Sequence, residues 1–275
     1  MNGTSTHVQP LVDPAWIADH LNDDTVRVIE VDVAPAAYRD GHIPNAVLWN
    51  IYADLRGPDY TPIGKAGLER LLSRSGVTRE TSVVFYGYGA HLCYWLLKSY
   101  GHDDVCLMDG PREQWVQSGR EWSVEQPSDA AVVYELAAPN PHLHLSREAV
   151  LALLGQTDGV LLDVRSRAEY DGEHFWPSGA AEGAGQAGHI PGSIHLPIEA
   201  LRDAQGRFVD AGEMRRLLRE HGVTAEHRVV TYCTIGNRAS QAWYALSRLL
   251  EYPDTGVYHG SWAEWGTHPN APIDR

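Results

Sequence analysis

The chain has 275 residues, of which 43% are hydrophobic, so it can bury the cores of two domains. Its formal net charge of −14 argues against a nucleic acid or an anionic membrane surface as a partner. No apolar stretch reaches the roughly 18 residues of a membrane span, and the polar segment 1–10 lacks the layout of a signal peptide. These features predict a cytoplasmic protein.

In the first half of the chain, short apolar strands alternate with amphipathic helical patterns. Strands are predicted at residues 27–31, Ser82–Tyr86 and Val105–Met108, and helices at residues 66–75 and 91–100. This alternation predicts an α/β domain with a mostly parallel sheet flanked by helices. We assign residues 11–124 to this domain.

Residues 125–142 separate the first half from the second. They contain Pro127, Pro139 and Pro141 and show no hydrophobic period, which is typical of a linker. The second domain is assigned to residues 143–273.

The second half repeats the α/β pattern. Strands are predicted at residues 160–163, Arg228–Tyr232 and 256–258, and helices at residues 146–154, 213–221 and 239–251. The sequence Gly-His-Ile-Pro begins at Gly41 and again at Gly188, and residues 108–115 resemble residues 258–265. A period this long indicates a duplicated domain.

Cys233 ends the apolar strand Arg228–Tyr232, and a helical pattern begins shortly after it. Its thiol is therefore expected at the carboxyl end of a parallel sheet, where α/β proteins bind ligands. Loop amides and a helix N-terminus would stabilise the thiolate, which is the reactive form of cysteine. The alternative is a buried structural cysteine. The glycine and arginine that follow favour the catalytic interpretation.

The loop after Cys233 supplies the other candidate site residues. We expect backbone N–H groups from Thr234, Ile235, Gly236 and Asn237 to face the substrate, and the guanidinium of Arg238 to bind an oxyanion. The three cysteines are odd in number and include no Cys-x-x-Cys pair, so neither a disulfide framework nor a thiolate zinc site is expected, and the histidines form no metal-binding pattern. Neither a metal nor an organic cofactor is predicted.

Four motifs together resemble those of a known family. They are Cys233-Thr-Ile-Gly-Asn-Arg-Ala-Ser, Leu162-Asp-Val-Arg165, Gly188-His-Ile-Pro-Gly192 and Gly260-Ser-Trp-Ala-Glu-Trp265. In content and order they are similar to the tandem-domain rhodaneses, the thiosulfate sulfurtransferases. The resemblance covers residues 11–273 and implies two rhodanese-like domains. It further implies that Cys233 takes sulfur from thiosulfate as a persulfide and passes it to cyanide or another thiophilic acceptor.

The resemblance also suggests a role for Arg165, which matches the family arginine that helps to bind the anionic donor. The alternative is a surface arginine paired with Asp163 or Glu169. Gly87 stands where the second half has Cys233, and no arginine follows at the matching position. The first domain is therefore predicted to be non-catalytic.

Three alternatives to the thiosulfate activity remain open. The donor could be 3-mercaptopyruvate, although that branch commonly has Cys-Gly-Ser-Gly at this loop. The protein could instead be a persulfide carrier or thiol sensor that serves one protein partner. A phosphatase is disfavoured, because related phosphatases use a longer Cys-x5-Arg loop and this chain has Cys-x4-Arg. The oligomeric state is not fixed by the sequence, and a monomer is favoured.

Overall fold

The structure of the chain, a computed structural model, describes residues 10–127, 131–180 and 185–275. Within these residues the chain forms two compact units, the first from the described parts of 1–57 and 63–138 and the second from those of 58–62 and 139–275. The division between Ala138 and Pro139 falls inside the predicted linker, of which residues 128–130 lie outside the described residues.

The described part of the first unit is an α/β fold. Its strands are β1 Leu11–Val12, β2 Val26–Asp32, β3 Val47–Asn50, β4 Ser82–Tyr86 and β5 Val105–Met108. Its helices are α1 Pro14–Asp19, α2 Ala36–Asp40, α3 Lys65–Arg74, α4 Ala90–Ser99 and α5 Gln114–Gln117. The strands form one sheet in the order β1-β5-β4-β2-β3, and all neighbouring strands are parallel.

The described part of the second unit repeats this architecture. Its strands are β6 His144–Leu145, β7 Gly159–Asp163, β8 Ile194–His195, β9 Arg228–Tyr232 and β10 Thr255–Tyr258. Its α-helices are α6 Arg147–Leu153, α7 Arg167–Tyr170, α8 Ala211–Glu220, α9 Asn237–Tyr244 and α10 Ser261–Trp265. The sheet order β6-β10-β9-β7-β8 is again fully parallel. The predicted fold class, α/β domains with parallel sheets and flanking helices, is confirmed.

The central strands have the burial expected of a sheet covered on both faces. In β4 and in β9, every residue after the first is buried, as in the continuous apolar strands of parallel sheets. In the second unit, β8 lies on one side of β7 and β9 lies on the other. The connections that leave β7 and β9 therefore run toward opposite edges of the sheet. In α/β proteins, ligands bind outside the carboxyl ends of two such strands.

Part of the predicted linker packs on the first unit. The N–H of Val132 donates to the carbonyl of Ser73 at 3.0 Å, and the N–H of Tyr134 donates to the Ser73 hydroxyl at 3.1 Å. The Tyr134 hydroxyl also lies 2.6 Å from Nδ1 of the buried His102. Among the described residues, none of the helices is long and apolar enough to cross a membrane.

Candidate active site

Cys233 follows the last residue of β9 and is 1% exposed. Its Sγ accepts a hydrogen bond of 3.1 Å from the backbone N–H of Gly236. Gly236 adopts a left-handed conformation with φ of 88° and precedes the first residue of α9. Glycine takes this conformation without the steric cost that a side chain would add. The turn therefore directs a loop amide toward the sulfur immediately before the first residue of α9.

The first turn of α10 holds this loop in place. The N–H groups of Trp262 and Ala263 donate to the carbonyls of Cys233 and Thr234, each at 2.9 Å. The N–H of Cys233 donates to the hydroxyl of Ser261 at 3.2 Å, and that hydroxyl donates to the carbonyl of Tyr258 at 2.8 Å. Ser261 thus fixes the backbone at Cys233. The repeated motif around Gly260-Ser-Trp was visible in the sequence, but the sequence alone indicated no role for Ser261 in the site.

Arg238 is paired with a buried carboxylate. Its Nη1 donates to Oε2 of Glu169 at 2.8 Å and its Nη2 donates to Oε1 at 2.7 Å, which is a bidentate ion pair. The Thr234 hydroxyl donates to Glu169 Oε1 at 2.5 Å and accepts from Arg238 Nη2 at 2.7 Å. From the sequence, Glu169 was expected only as an alternative partner of Arg165. The signal for its position is the capping box with Ser166 at the start of α7.

The protonation states of this pair follow from its contacts. Burial opposes ionisation of Glu169, but hydrogen bonds from Arg238 and its charge, with hydrogen bonds from Thr234 and Ser166, outweigh burial and lower its pKa to about 2. Burial also lowers the pKa of Arg238, but the hydrogen bonds to Glu169 and the attraction of Cys233 raise it further above its usual value. At neutral pH the two groups therefore form an ion pair beside the sulfur.

Arg165 follows β7 by two residues and is fully buried. Its Nη2 donates to Asp163 Oδ2 and to the carbonyl of Gly188, both at 2.7 Å, and its Nε lies 3.0 Å from both carboxylate oxygens of Asp163. Its guanidinium carbon lies 4.5 Å from the ring centre of Trp262. Arg165 is thus paired with Asp163 in the interior, and donor binding by Arg165 remains a prediction.

The remaining loop residues differ in their contacts. Of the four loop amides predicted to face the substrate, that of Gly236 is hydrogen-bonded to Cys233 Sγ. Ile235 packs partly buried against the core of the second unit. Asn237 is 3% exposed, and neither polar atom of its side chain has a hydrogen-bond partner among the described residues. Those residues also contain no group of three or more His, Cys, Asp or Glu side chains that could hold a metal ion.

The chain is thus a tandem of parallel α/β units, the second of which holds a cysteine at the carboxyl end of a central strand. The Rhodanese-like domain matches the chain twice, at residues 13–118 and 146–268. The chain belongs to the rhodanese-like family.

Similar proteins are matched over nearly the whole chain. The Sulfur carrier protein TtuD of Thermus thermophilus is 37% identical over 97% of this chain and 97% of its own length. A protein of Saccharopolyspora erythraea named "Putative thiosulfate sulfurtransferase" is 35% identical over 96% of this chain and 95% of its own length.

Solved structures of a sulfur-handling enzyme share the fold. The anaerobic ergothioneine biosynthesis enzyme of Chlorobium limicola, solved with trimethyl histidine, is 25% identical with a TM-score of 0.85. The match covers 96% of this chain and 70% of that chain. A structure of EanB, also at 25% identity and a TM-score of 0.85, has ergothioneine covalently linked with its persulfide cysteine, and the match again covers 96% of this chain and 70% of that one.

Proposed function

We propose that this protein is a sulfurtransferase that moves sulfane sulfur from thiosulfate to a thiophilic acceptor, such as cyanide or a thiol, through a persulfide on Cys233. The observation that carries the proposal is the hydrogen bond from the Gly236 amide to Cys233 Sγ at the start of α9. That arrangement suits a thiolate, and after reaction the same amide suits the anionic outer sulfur of a persulfide.

The proposed reaction has two steps. In the first, the Cys233 thiolate attacks the outer sulfur of thiosulfate, and the S–S bond of the donor breaks with its electron pair leaving on sulfite. In the second, a nucleophilic acceptor attacks the outer sulfur of the persulfide and regenerates the thiolate. No metal or organic cofactor takes part in either step.

The other two cysteines are suited to packing rather than to chemistry. Cys93 and Cys106 are buried. Burial raises the pKa of Cys93 well above its usual value and that of Cys106 to about 12, so both remain protonated at neutral pH. All three cysteines are free thiols, which suits the reducing cytoplasm and supports a cytoplasmic location as part of this proposal.

Intact mass measurement after thiosulfate treatment tests the proposal. We expect the wild-type protein to gain the mass of one sulfur atom and to lose it on addition of cyanide. The gain should disappear in Cys233→Ser and persist in the control variants Cys93→Ser and Cys106→Ser. A gain that survives Cys233→Ser would overturn the assignment.

A persulfide carrier is a second candidate function. It is favoured by the 37% identity to the Sulfur carrier protein TtuD. Slow turnover of thiosulfate with cyanide, combined with fast transfer of the Cys233 sulfur to a protein thiol, would support the carrier. Higher turnover with 3-mercaptopyruvate than with thiosulfate would instead replace the proposed donor.

We also propose different roles for the two units. The second unit holds Cys233 and is proposed to be catalytic, whereas the first has Gly87 after its matching strand and is proposed to be non-catalytic.

A further inference from the structure

Arg238, the cation expected to attract the donor, is neutralised by the carboxylate of Glu169 inside the protein. The guanidinium of Arg238 makes two hydrogen bonds to the carboxylate of Glu169, which is completely buried. The charge of Arg165 is likewise matched by the buried carboxylate of Asp163. Both arginines that the sequence suggested for anion binding therefore belong to internal ion pairs.

Glu169 is fixed in place by more than its ion pair. Its two carboxylate oxygens accept five hydrogen bonds, from Arg238 Nη1 and Nη2, the Thr234 hydroxyl, and the N–H and hydroxyl of Ser166. Ser166 and Glu169 also close the capping box that begins α7. Because these contacts leave the carboxylate well satisfied, its negative charge is a permanent part of the site.

This permanent charge acts on any anion that approaches Cys233. Thiosulfate brings two negative charges, and it meets the repulsion of Glu169 together with the attraction of Arg238. Electrostatic energy is proportional to the charge of the donor, so the repulsion is twice as large for a dianion as for a monoanion at the same position. Buried charges are screened little by salt, so this effect persists at physiological ionic strength.

We propose that Glu169 determines donor specificity, because by neutralising Arg238 it disfavours dianionic sulfur donors relative to monoanionic donors of the same reaction. This inference rests on the proposed function of Cys233. Thiosulfate and benzenethiosulfonate form a matched pair of donors. In each, the thiolate attacks the outer sulfur, the S–S bond of the donor breaks, and its electron pair leaves on sulfite or benzenesulfinate respectively.

The variant Glu169→Gln tests the proposal, since it removes the charge and keeps the shape and one acceptor oxygen. With cyanide as acceptor, we expect the KM for thiosulfate to fall roughly tenfold and that for benzenethiosulfonate roughly threefold, because the energy scales with donor charge. The ratio of kcat/KM for thiosulfate to that for benzenethiosulfonate should therefore rise roughly threefold. A purely structural residue would lower kcat for both donors and leave this ratio unchanged.

Two further variants keep the test informative if the single variant folds poorly. In Glu169→Gln/Arg238→Gln both charges are absent, so the donor ratio should return to the wild-type value. Glu199→Gln is the matched control, because Glu199 also attracts Arg238 but is exposed. Solvent screens its charge, so the ratio should remain at the wild-type value. A change in Glu199→Gln as large as in Glu169→Gln would overturn the proposal.

A binding measurement separates this inference from the proposed function. Sulfate is an unreactive dianion, and it should protect Cys233 from alkylation by iodoacetamide at a lower concentration in Glu169→Gln than in the wild type. If neither donor adds sulfur to the wild-type protein, the proposed function is wrong, and the protection experiment still decides the role of Glu169. Equal protection by sulfate in both proteins would show that Glu169 does not control anion binding.

Discussion

At the carboxyl ends of their sheets, the two units have the same buried framework. In the second unit, Asp163 lies opposite Tyr232 in the sheet, and Arg165 joins Asp163 to the carbonyl of Gly188. The Tyr232 hydroxyl accepts a hydrogen bond of 3.1 Å from the N–H of Ile190 in the Gly-His-Ile-Pro turn. One carboxylate, one tyrosine and one arginine thus hold this turn against the sheet.

In the first unit, the same framework is built with an arginine from another part of the sequence. Glu30 lies opposite Tyr86, and the hydroxyl of Tyr86 accepts from the N–H of Ile43 at 3.1 Å. Arg112, which precedes α5, donates to Glu30 at 2.8 Å and also to the carbonyl of Gly41. The framework is thus present in a unit that has no cysteine after its central strand. We therefore infer that the ion pair with Arg165 serves the fold.

The units differ in the residue that follows the central strand. Gly87 follows β4 with φ of 91°, and a Cβ added to it would lie 2.9 Å from the carbonyl oxygen of Val31. Three residues separate β4 from α4, whereas four separate β9 from α9. The first unit therefore lacks both the thiol and the longer turn that would surround it.

Moving the cysteine between the units is the prediction with the largest effect. We expect Gly87→Cys/Cys233→Gly to take up no sulfur from thiosulfate, because the backbone at residue 87 is strained for any side chain and the shorter turn differs from that after β9. Intact mass measurement checks this, with Cys233→Gly as the control. Sulfur uptake by the double variant would show that the two turns are equivalent.

Loss of the ion pairs gives the next largest effect. We expect Arg165→Met and Arg112→Met each to lower the free energy of unfolding of its own unit by about 3–5 kcal/mol, since each leaves a buried carboxylate without its partner. Urea titration measures this loss. The KM for thiosulfate should be unchanged in both. If Arg165→Met raises the KM while the unit stays stable, then Arg165 binds the donor as the family resemblance implied.

The central strands were predictable because their apolar runs end abruptly. The predicted bounds of Ser82–Tyr86 and Arg228–Tyr232 are those of β4 and β9. Strands of two residues, such as Leu11–Val12, carry no alternation and were missed. The predicted helix 239–251 starts earlier, at Asn237, and continues after Tyr244 as a π-helix over Ala245–Leu249. The spacing of apolar residues in the sequence does not reveal the wider hydrogen-bonding pattern of a π-helix.

The part of the candidate site that is formed by one short stretch of sequence was predictable. The spacing of Cys233, Gly236 and Arg238 indicated the turn that the structure contains. The ion pair between Arg238 and Glu169 joins residues that are 69 positions apart, and only the packing of β7 beside β9 brings them together. Sequence patterns predict local periods and helix caps. The charge state near Cys233 depends on a long-range contact, which such patterns do not encode.

Two of the left-handed glycines of the second unit, Gly236 and Gly222, allow the smallest effect to be measured. Gly236 has φ of 88° and bonds to the Cys233 sulfur, whereas Gly222, with φ of 77°, has open space around it. We expect Gly236→Ala and Gly222→Ala each to cost about 1–2 kcal/mol of stability, because alanine is strained in this conformation. Thermal unfolding compares the two losses.

Only Gly236→Ala should also slow sulfur transfer, since relaxing its strain moves the N–H away from the sulfur. A loss of one hydrogen bond to a charged group, about 1.5–3 kcal/mol, corresponds to a decrease of roughly ten- to a hundredfold in kcat/KM. Steady-state assays with thiosulfate and cyanide measure this decrease, and Gly222→Ala should keep the wild-type rate. Equal rates in the two variants would mean that the Gly236 amide does not stabilise the thiolate, and the difference between the units would then reduce to the presence of the cysteine.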